Sequence, residues 1–170
     1  MMSPLIEVVP YNEEWPKIFA AEAKLVSSVL GGNCICVYHI GSTSISGLAA
    51  KPIIDILPVV RDILKVDLAN QGMENIGYIP KGENGIPNRR YFQKAENHQS
   101  YNVHVFAVDN PLITKYLIFS EWLRSHPDDR HAYEKLKLNL AAKFPYDMSS
   151  YNQGKADFIA KIEEKAANNI

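Results

Sequence analysis

The stretch Tyr38–Val60, YHIGSTSISGLAAKPIIDILPVV, decides the fold. A strand-like run ends at Gly41. Small and hydroxyl residues follow from Ser42 to Ala50, then Lys51-Pro52, then Ile53–Val60, which is apolar on both alternating faces apart from Asp55. A run apolar on both faces suits a central strand covered on two sides. A carboxylate inside such a strand is costly unless it is paired or hydrogen-bonded. Asp55 is therefore either a structural acid tied to neighbouring donors or part of a site that handles phosphate. Lys51, His39 or an arginine are its candidate partners, and a metal ion is another.

Upstream, Leu5–Val9 is short, apolar and β-prone, and Pro10 ends it. Trp15, Ile18, Phe19, Val26, Val29 and Leu30 then recur at helical spacing, between a start at Asn12 or Glu14 and a stop at Gly31-Gly32. Cys34–Ile40 reads as a strand. Downstream of Val60, Asp67 is placed to cap a helix over 68–76. Strands are predicted at Tyr78–Gly82, Arg89–Ala95 and Tyr101–Val108, and the last third is helical, broken by Pro111, Pro127 and Pro145. Repeats, low-complexity tracts and linkers are absent. The 170 residues thus predict one α/β (α+β) domain with a helical C-terminal cap.

A formal net charge of −1 supplies no global basic field for nucleic acid or a membrane surface. No apolar run reaches the roughly 20 residues of a membrane span. The N-terminal stretch MMSPLIEVVPYNEEWP lacks the pattern of a secretory leader. Cys34 and Cys36, two apart in a strand, are poorly placed to bridge each other. These points predict a reducing, cytoplasmic setting.

Four constellations carry chemistry. Gly41-Ser42-Thr43 ends a strand with backbone N–H groups that suit an anion, although the same residues make a plain turn and cap. Asp55 is the second. The third is His104: alternation puts Asn102, His104 and Phe106 on one strand face. Together with His39 and Asp55 it makes a loose candidate metal set, or a satisfied core histidine. The fourth is a set of cations. Lys137 lies four residues after Tyr133, and Lys155 four after Tyr151, each on or beside an apolar helix face. They either snorkel to water or face an anion-binding cleft, to which Arg90 and Arg124 would add guanidinium forks.

HIGSTSISGLAAKPIIDI closely resembles the hallmark stretch of the GrpB family, bacterial proteins also found fused behind dephospho-CoA kinase. The likeness continues through VVPYNEEWPKIF, GIPNRRYF, NVHVF, FSEWLRSHPDDRHAYEKLK and YNQGKADFI. Ser46, in place of the usual proline, and Ser120, where an arginine is frequent, are small departures. The resemblance implies a nucleotidyltransferase-like mixed sheet flanked by helices. In that superfamily the turn holds triphosphate and three acids hold two metal ions. Gly41-Ser42 matches the turn and Asp55 the first acid, but Leu57 stands at the second acid and His104 where a later carboxylate is expected.

The resemblance therefore implies one divalent ion on Asp55, or none. His39, Ser42, Asp55, Arg90 and His104 are expected to converge on one cleft, with Lys137 and Lys155 aimed into it. The implied function is binding of a nucleotide or other phosphate-bearing anion. One alternative is active nucleotidyl transfer with Asp55, His104 and His39 catalytic and Lys51, Arg90, Arg124, Lys137 and Lys155 on the phosphates. The other is a non-catalytic partner of an enzyme such as dephospho-CoA kinase.

Overall fold

Asn12 starts the first helix: its Oδ1 accepts the Glu14 N–H at 2.9 Å. Helix α1 (Trp15–Leu30) follows, with Pro16 in its first turn, and Gly31 at φ +63° closes it. Its inward stripe includes Trp15, Val26 and Leu30, each buried. The computed structural model describes residues 4–169. Residues 1–3, which begin the stretch read for a leader, lie outside them.

The strands are β1 (Cys34–Ile40), β2 (Ile53–Val60), β3 (Ile79–Pro80), β4 (Arg89–Glu96) and β5 (Gln99–Ala107). They form one mixed sheet in the order β1-β2-β5-β4-β3. β2 pairs antiparallel with β1 and parallel with β5, so it is interior, as its two apolar faces predict. The register aligns Ile40, Asp55 and Asn102 across three strands.

Alternation sorts the sheet into two faces. Ile54, Ile56, Val60, Val103 and Val105 pack with Trp15, Val26 and Leu30 of α1 and with Met73 of the short helix α2 (Asn70–Asn75). On the opposite face, Ile40, Leu57, Val59 and Phe106 pack beneath Ile113 of α3 (Leu112–Ser125). Asp55 and His104 belong to this second face by the same parity.

Helices α4 (Pro127–Lys143) and α5 (Met148–Asn168) complete the cap. Ile45 and Leu48, in the loop after β1, pack with Leu123, Tyr133 and Ile162 from the three helices. Glu134 ties the same loop down: its Oε1 accepts the Ala49 N–H at 2.6 Å. At Gly154 the two helices touch, because a Cβ there would collide with the Leu140 side chain. That close approach sets Lys155 beside α4.

Two local expectations are corrected. Leu5–Val9 forms a single bridge, Val9 to Ala50, and Ile6 donates to the Pro145 carbonyl. The segment straps the loop to the α4–α5 junction and does not run along the sheet. Asp67 caps no helix. Asp62 does so instead, accepting the Leu64 N–H at 3.0 Å ahead of a 3-10 segment Ile63–Ala69.

Candidate functional site

Between the second sheet face and the cap lies a cavity of about 380 Å³, within the range of small-molecule sites. Ser42, Lys51, Asp55 and His104 line it from the sheet side, and Tyr133, Lys137, Tyr151 and Lys155 from α4 and α5. Lys115, Tyr116 and Phe119 come from α3, with Asn102 and Glu163 also at the wall.

The acid is held first. Asp55 Oδ1 lies 3.0 Å from His104 Nε2, and His104 Nδ1 lies 3.3 Å from Arg89 Nη1. A guanidinium only donates. His104 Nδ1 must therefore accept, its proton sits on Nε2, and that proton is given to Asp55. Arg89 is itself pinned by the Glu83 and Asn84 carbonyls and lies over the Tyr91 ring. Both ring nitrogens of His104 are committed, so it orients Asp55 and has no lone pair left to act as base.

The turn is built differently from a plain cap. Ser42–Ser44 is one 3-10 turn entered through Gly41 at φ +74°. Ser44 Oγ donates to the Gly41 carbonyl at 2.6 Å. Thr43 is buried: its hydroxyl donates to the Ile53 carbonyl at 2.9 Å and accepts from His39 Nε2 at 3.1 Å. Ser42 lines the cavity, its hydroxyl toward that of Tyr133.

The cap brings cations. Lys137 is 2% exposed, and neither its Nζ nor the Tyr151 hydroxyl finds a hydrogen-bond partner among the described residues. Each helix repeats Tyr-x-x-x-Lys, which lays the ammonium over the ring one turn back. Lys137 Nζ is 4.7 Å from the Tyr133 centroid and Lys155 Nζ 4.7 Å from that of Tyr151. Lys51 Nζ approaches the same Tyr151 ring at 4.9 Å. Burial, then the Lys155 charge, pushes Lys137 down to about 7. Burial and the Lys51 charge push Lys155 down to about 8, with Asp55 opposing. Burial also lowers Lys51. Three amines thus crowd a cavity that holds one facing carboxylate, Asp55, and a second, Glu163, already paired with Lys115 at 3.4 Å.

Of the residues expected at the cleft, Gly41, Ser42, Thr43, Lys51, Asp55, His104, Lys137 and Lys155 line it. Three are placed elsewhere. Arg90 pairs in register with Val105 and so points to the α1 face, where its Nε meets Asp67 Oδ1 at 2.7 Å. Arg89, one residue earlier, is the arginine on the site face. His39, opposite Ile56, also turns to the α1 face and stacks on Phe19 at 4.5 Å. Burial takes it down to about 4, so it stays neutral. Arg124 sits at the surface and donates to the Ser44 carbonyl. The residues missed in the sequence are Arg89, Lys115, Tyr116, Tyr133, Tyr151 and Glu163. The repeated Tyr-x-x-x-Lys spacing was the signal for two of them.

A GrpB protein sequence model matches residues 5–165. The chain belongs to the GrpB family. It is 45% identical over 161 residues to the UPF0157 protein YqkA of Bacillus subtilis, covering 95% of this chain and 47% of that protein. The chain thus spans about half the length of that relative. A dephospho-CoA kinase of Mycolicibacterium paratuberculosis is 24% identical over 171 residues, covering 86% of this chain and 42% of the kinase. Among solved structures, the conserved protein GrpB from Enterococcus faecalis superposes with a TM-score of 0.92 at 40% identity, covering 96% of this chain and 98% of that one. The Cid1 poly(U) polymerase, in a form with Mg and 3'-dATP bound, superposes at 0.58 with 12% identity, covering 86% of this chain and 49% of that one. That second likeness establishes for the family member a nucleotidyltransferase-like fold.

The two-metal site implied by that fold does not fit these residues. Magnesium favours oxygen ligands, yet the position two beyond Asp55 is Leu57, fully buried in the apolar layer under α3. Among the described residues no three His, Cys, Asp or Glu side chains gather as ligands. His104 offers Asp55 a proton, not a metal a lone pair, and the lysine charges lie within reach of the same carboxylate.

Proposed function

We propose that this GrpB protein binds a phosphate-bearing small molecule, of which a nucleotide is the leading class, between the Ser42 turn and the lysines of the cap. The observation that carries this reading is the buried amine of Lys137, unpartnered and crowded by Lys155 and Lys51. Like charges in a low-dielectric wall repel, and an anion between them relieves the repulsion and satisfies the orphaned nitrogen. Asp55 orients the ligand, because a carboxylate rejects phosphate. The phosphate therefore lies toward Lys51, Lys137 and Lys155, and Asp55 faces hydroxyl or amine groups such as those of a ribose. The aromatic wall of Tyr116, Phe119 and Tyr133 supplies apolar contact for the remainder. The free thiols of Cys34 and Cys36 support a reducing, cytoplasmic setting.

Calorimetric titration of nucleoside mono-, di- and triphosphates, with Mg²⁺ and with a chelator, tests this directly. Binding that survives the chelator and is lost in Lys137→Met is the expected result. Turnover strictly dependent on Mg²⁺, measured as pyrophosphate release and abolished in Asp55→Asn, would instead establish nucleotidyl transfer.

A further inference from the structure

Lys137 has more than charge to offer. If only a positive charge were required, a lysine at the rim of the cavity would serve without the cost of burial. Instead the amine sits deep, over the Tyr133 ring, with no hydrogen-bond acceptor among the described residues. The charged groups around it are Lys155 on α5, Lys51 in the loop, Glu134 on its own helix, and Asp55 and Glu163 at the cavity wall. Glu134 is spent on the Ala49 N–H and Glu163 on Lys115. A desolvated lysine beside other cations sheds its proton and becomes a nucleophile, and Lys137 is down to about 7. Among the described residues the Tyr151 hydroxyl is the other buried side-chain nitrogen or oxygen without a partner, and burial keeps it protonated.

We propose that Lys137 is a nucleophile: the cavity accepts a phosphorylated aldehyde or ketone, whose carbonyl carbon condenses with Lys137 Nζ as an imine while Lys51 and Lys155 hold the phosphate. This rests on the anion-binding reading above, with Lys51 and Lys155 keeping the phosphate and Lys137, there one of its contacts, given over to the carbonyl. The nitrogen lone pair adds to the carbonyl carbon, forming the C–N bond. The carbonyl oxygen takes a proton and the nitrogen gives one up, leaving a carbinolamine. The C–O bond then breaks, the oxygen takes a second proton, and one water departs. Amine, carbonyl and one proton give the protonated imine plus water, with no change of oxidation state. The Tyr151 hydroxyl and the Lys155 ammonium are the proton donors at hand. The protonated imine keeps a positive charge beside the phosphate, which favours the product over the free amine.

The probe is pyridoxal 5'-phosphate, trapped with borohydride and located by peptide mapping. Pyridoxine 5'-phosphate, which carries the phosphate but no aldehyde, serves as competitor. One equivalent is expected on Lys137, at least tenfold faster than on any other lysine. Its rate should halve near pH 7, and pyridoxine 5'-phosphate should protect it. Lys137→Met is expected to stay folded by thermal melting and to lose the label. Because the competition is run on the unaltered protein, the outcome does not depend on that variant folding. Labelling spread over surface lysines, or confined to Lys51 or Lys155, overturns the imine and leaves the anion site standing if pyridoxine 5'-phosphate still binds. If neither phosphate compound binds, the anion site fails and the imine falls with it.

Discussion

Gly41 and Asp55 interlock: a Cβ on Gly41 would stand 2.6 Å from Asp55 Oδ2. The glycine also holds φ +74°, which side chains rarely adopt. Gly41→Ala is therefore expected to lose about 2 kcal/mol or more from backbone strain and the clash, read by urea unfolding. Asp55→Ala in the same chain should recover part of that loss, since the two residues are in contact and their effects do not add. Equal losses with and without Asp55 would show that backbone strain alone is responsible.

Removing the buried amine should stabilise the ligand-free protein. Lys137→Met keeps most of the side-chain volume and removes an orphaned nitrogen. A gain of about 1–3 kcal/mol at neutral pH is expected, on the usual cost of an unsatisfied buried polar group, together with loss of anion binding. A loss of stability would show that the Tyr133 contact outweighs burial.

The pH dependence follows from the lowered lysines. Folded Lys137 and Lys155 lose their protons near pH 7 and 8, while in the unfolded chain they hold them up to the ordinary lysine value of 10.5. The unfolded state thus binds more protons across that window, and stability from these groups rises with pH through it. The slope should shrink in Lys137→Met. Anion binding works in the opposite sense. A bound phosphate favours the charged amines, so binding takes up protons, and affinity falls as pH rises from 7 to 9. Titration in buffers of different ionisation heats measures that uptake.

Two adjacent arginines should part company. Arg89→Met removes the donor facing His104 Nδ1, and nitrogen NMR of the ring should change from the Nε2–H form to a mixture of tautomers, with weaker ligand binding. Arg90→Met should leave the ring and the ligand unaffected. It breaks a pair with Asp67, whose side chain is half-exposed, and should cost about 1 kcal/mol. Equal effects of both changes on binding would contradict the assignment of sheet faces.

Much of the scaffold was legible. Cys34–Ile40 and Ile53–Val60 are strands over the predicted residues, because turn residues bound each apolar run. Helical spacing against Tyr133 and Tyr151 put Lys137 and Lys155 beside apolar faces but left open whether they reach water or the cavity. Parity between strands was harder. His39 and Arg90 are each one residue from a neighbour that faces the acid, and a one-residue error sends a side chain through the sheet. Which face Asp55 uses is set by its register with Ile40 and Asn102, a long-range pairing that local pattern does not encode. Asp67 misled for a similar reason: its partner, Arg90, lies 23 residues away.

The parallel pairing of β2 with β5 has a kinetic consequence. Asp55 and His104 lie 49 residues apart in sequence, and parallel neighbours must be joined by a long crossover. Closing that loop costs chain entropy before the contact rewards it, which slows folding. A β1–β2 hairpin alone would interlock Gly41 with Asp55 but would leave the carboxylate without its imidazole and the cavity without its lysine wall. Ligand competence thus requires the long-range β2–β5 pairing and the cap as well as the hairpin. A bound phosphate ester would protect amides of β5 and α4 from hydrogen exchange more than those of the hairpin.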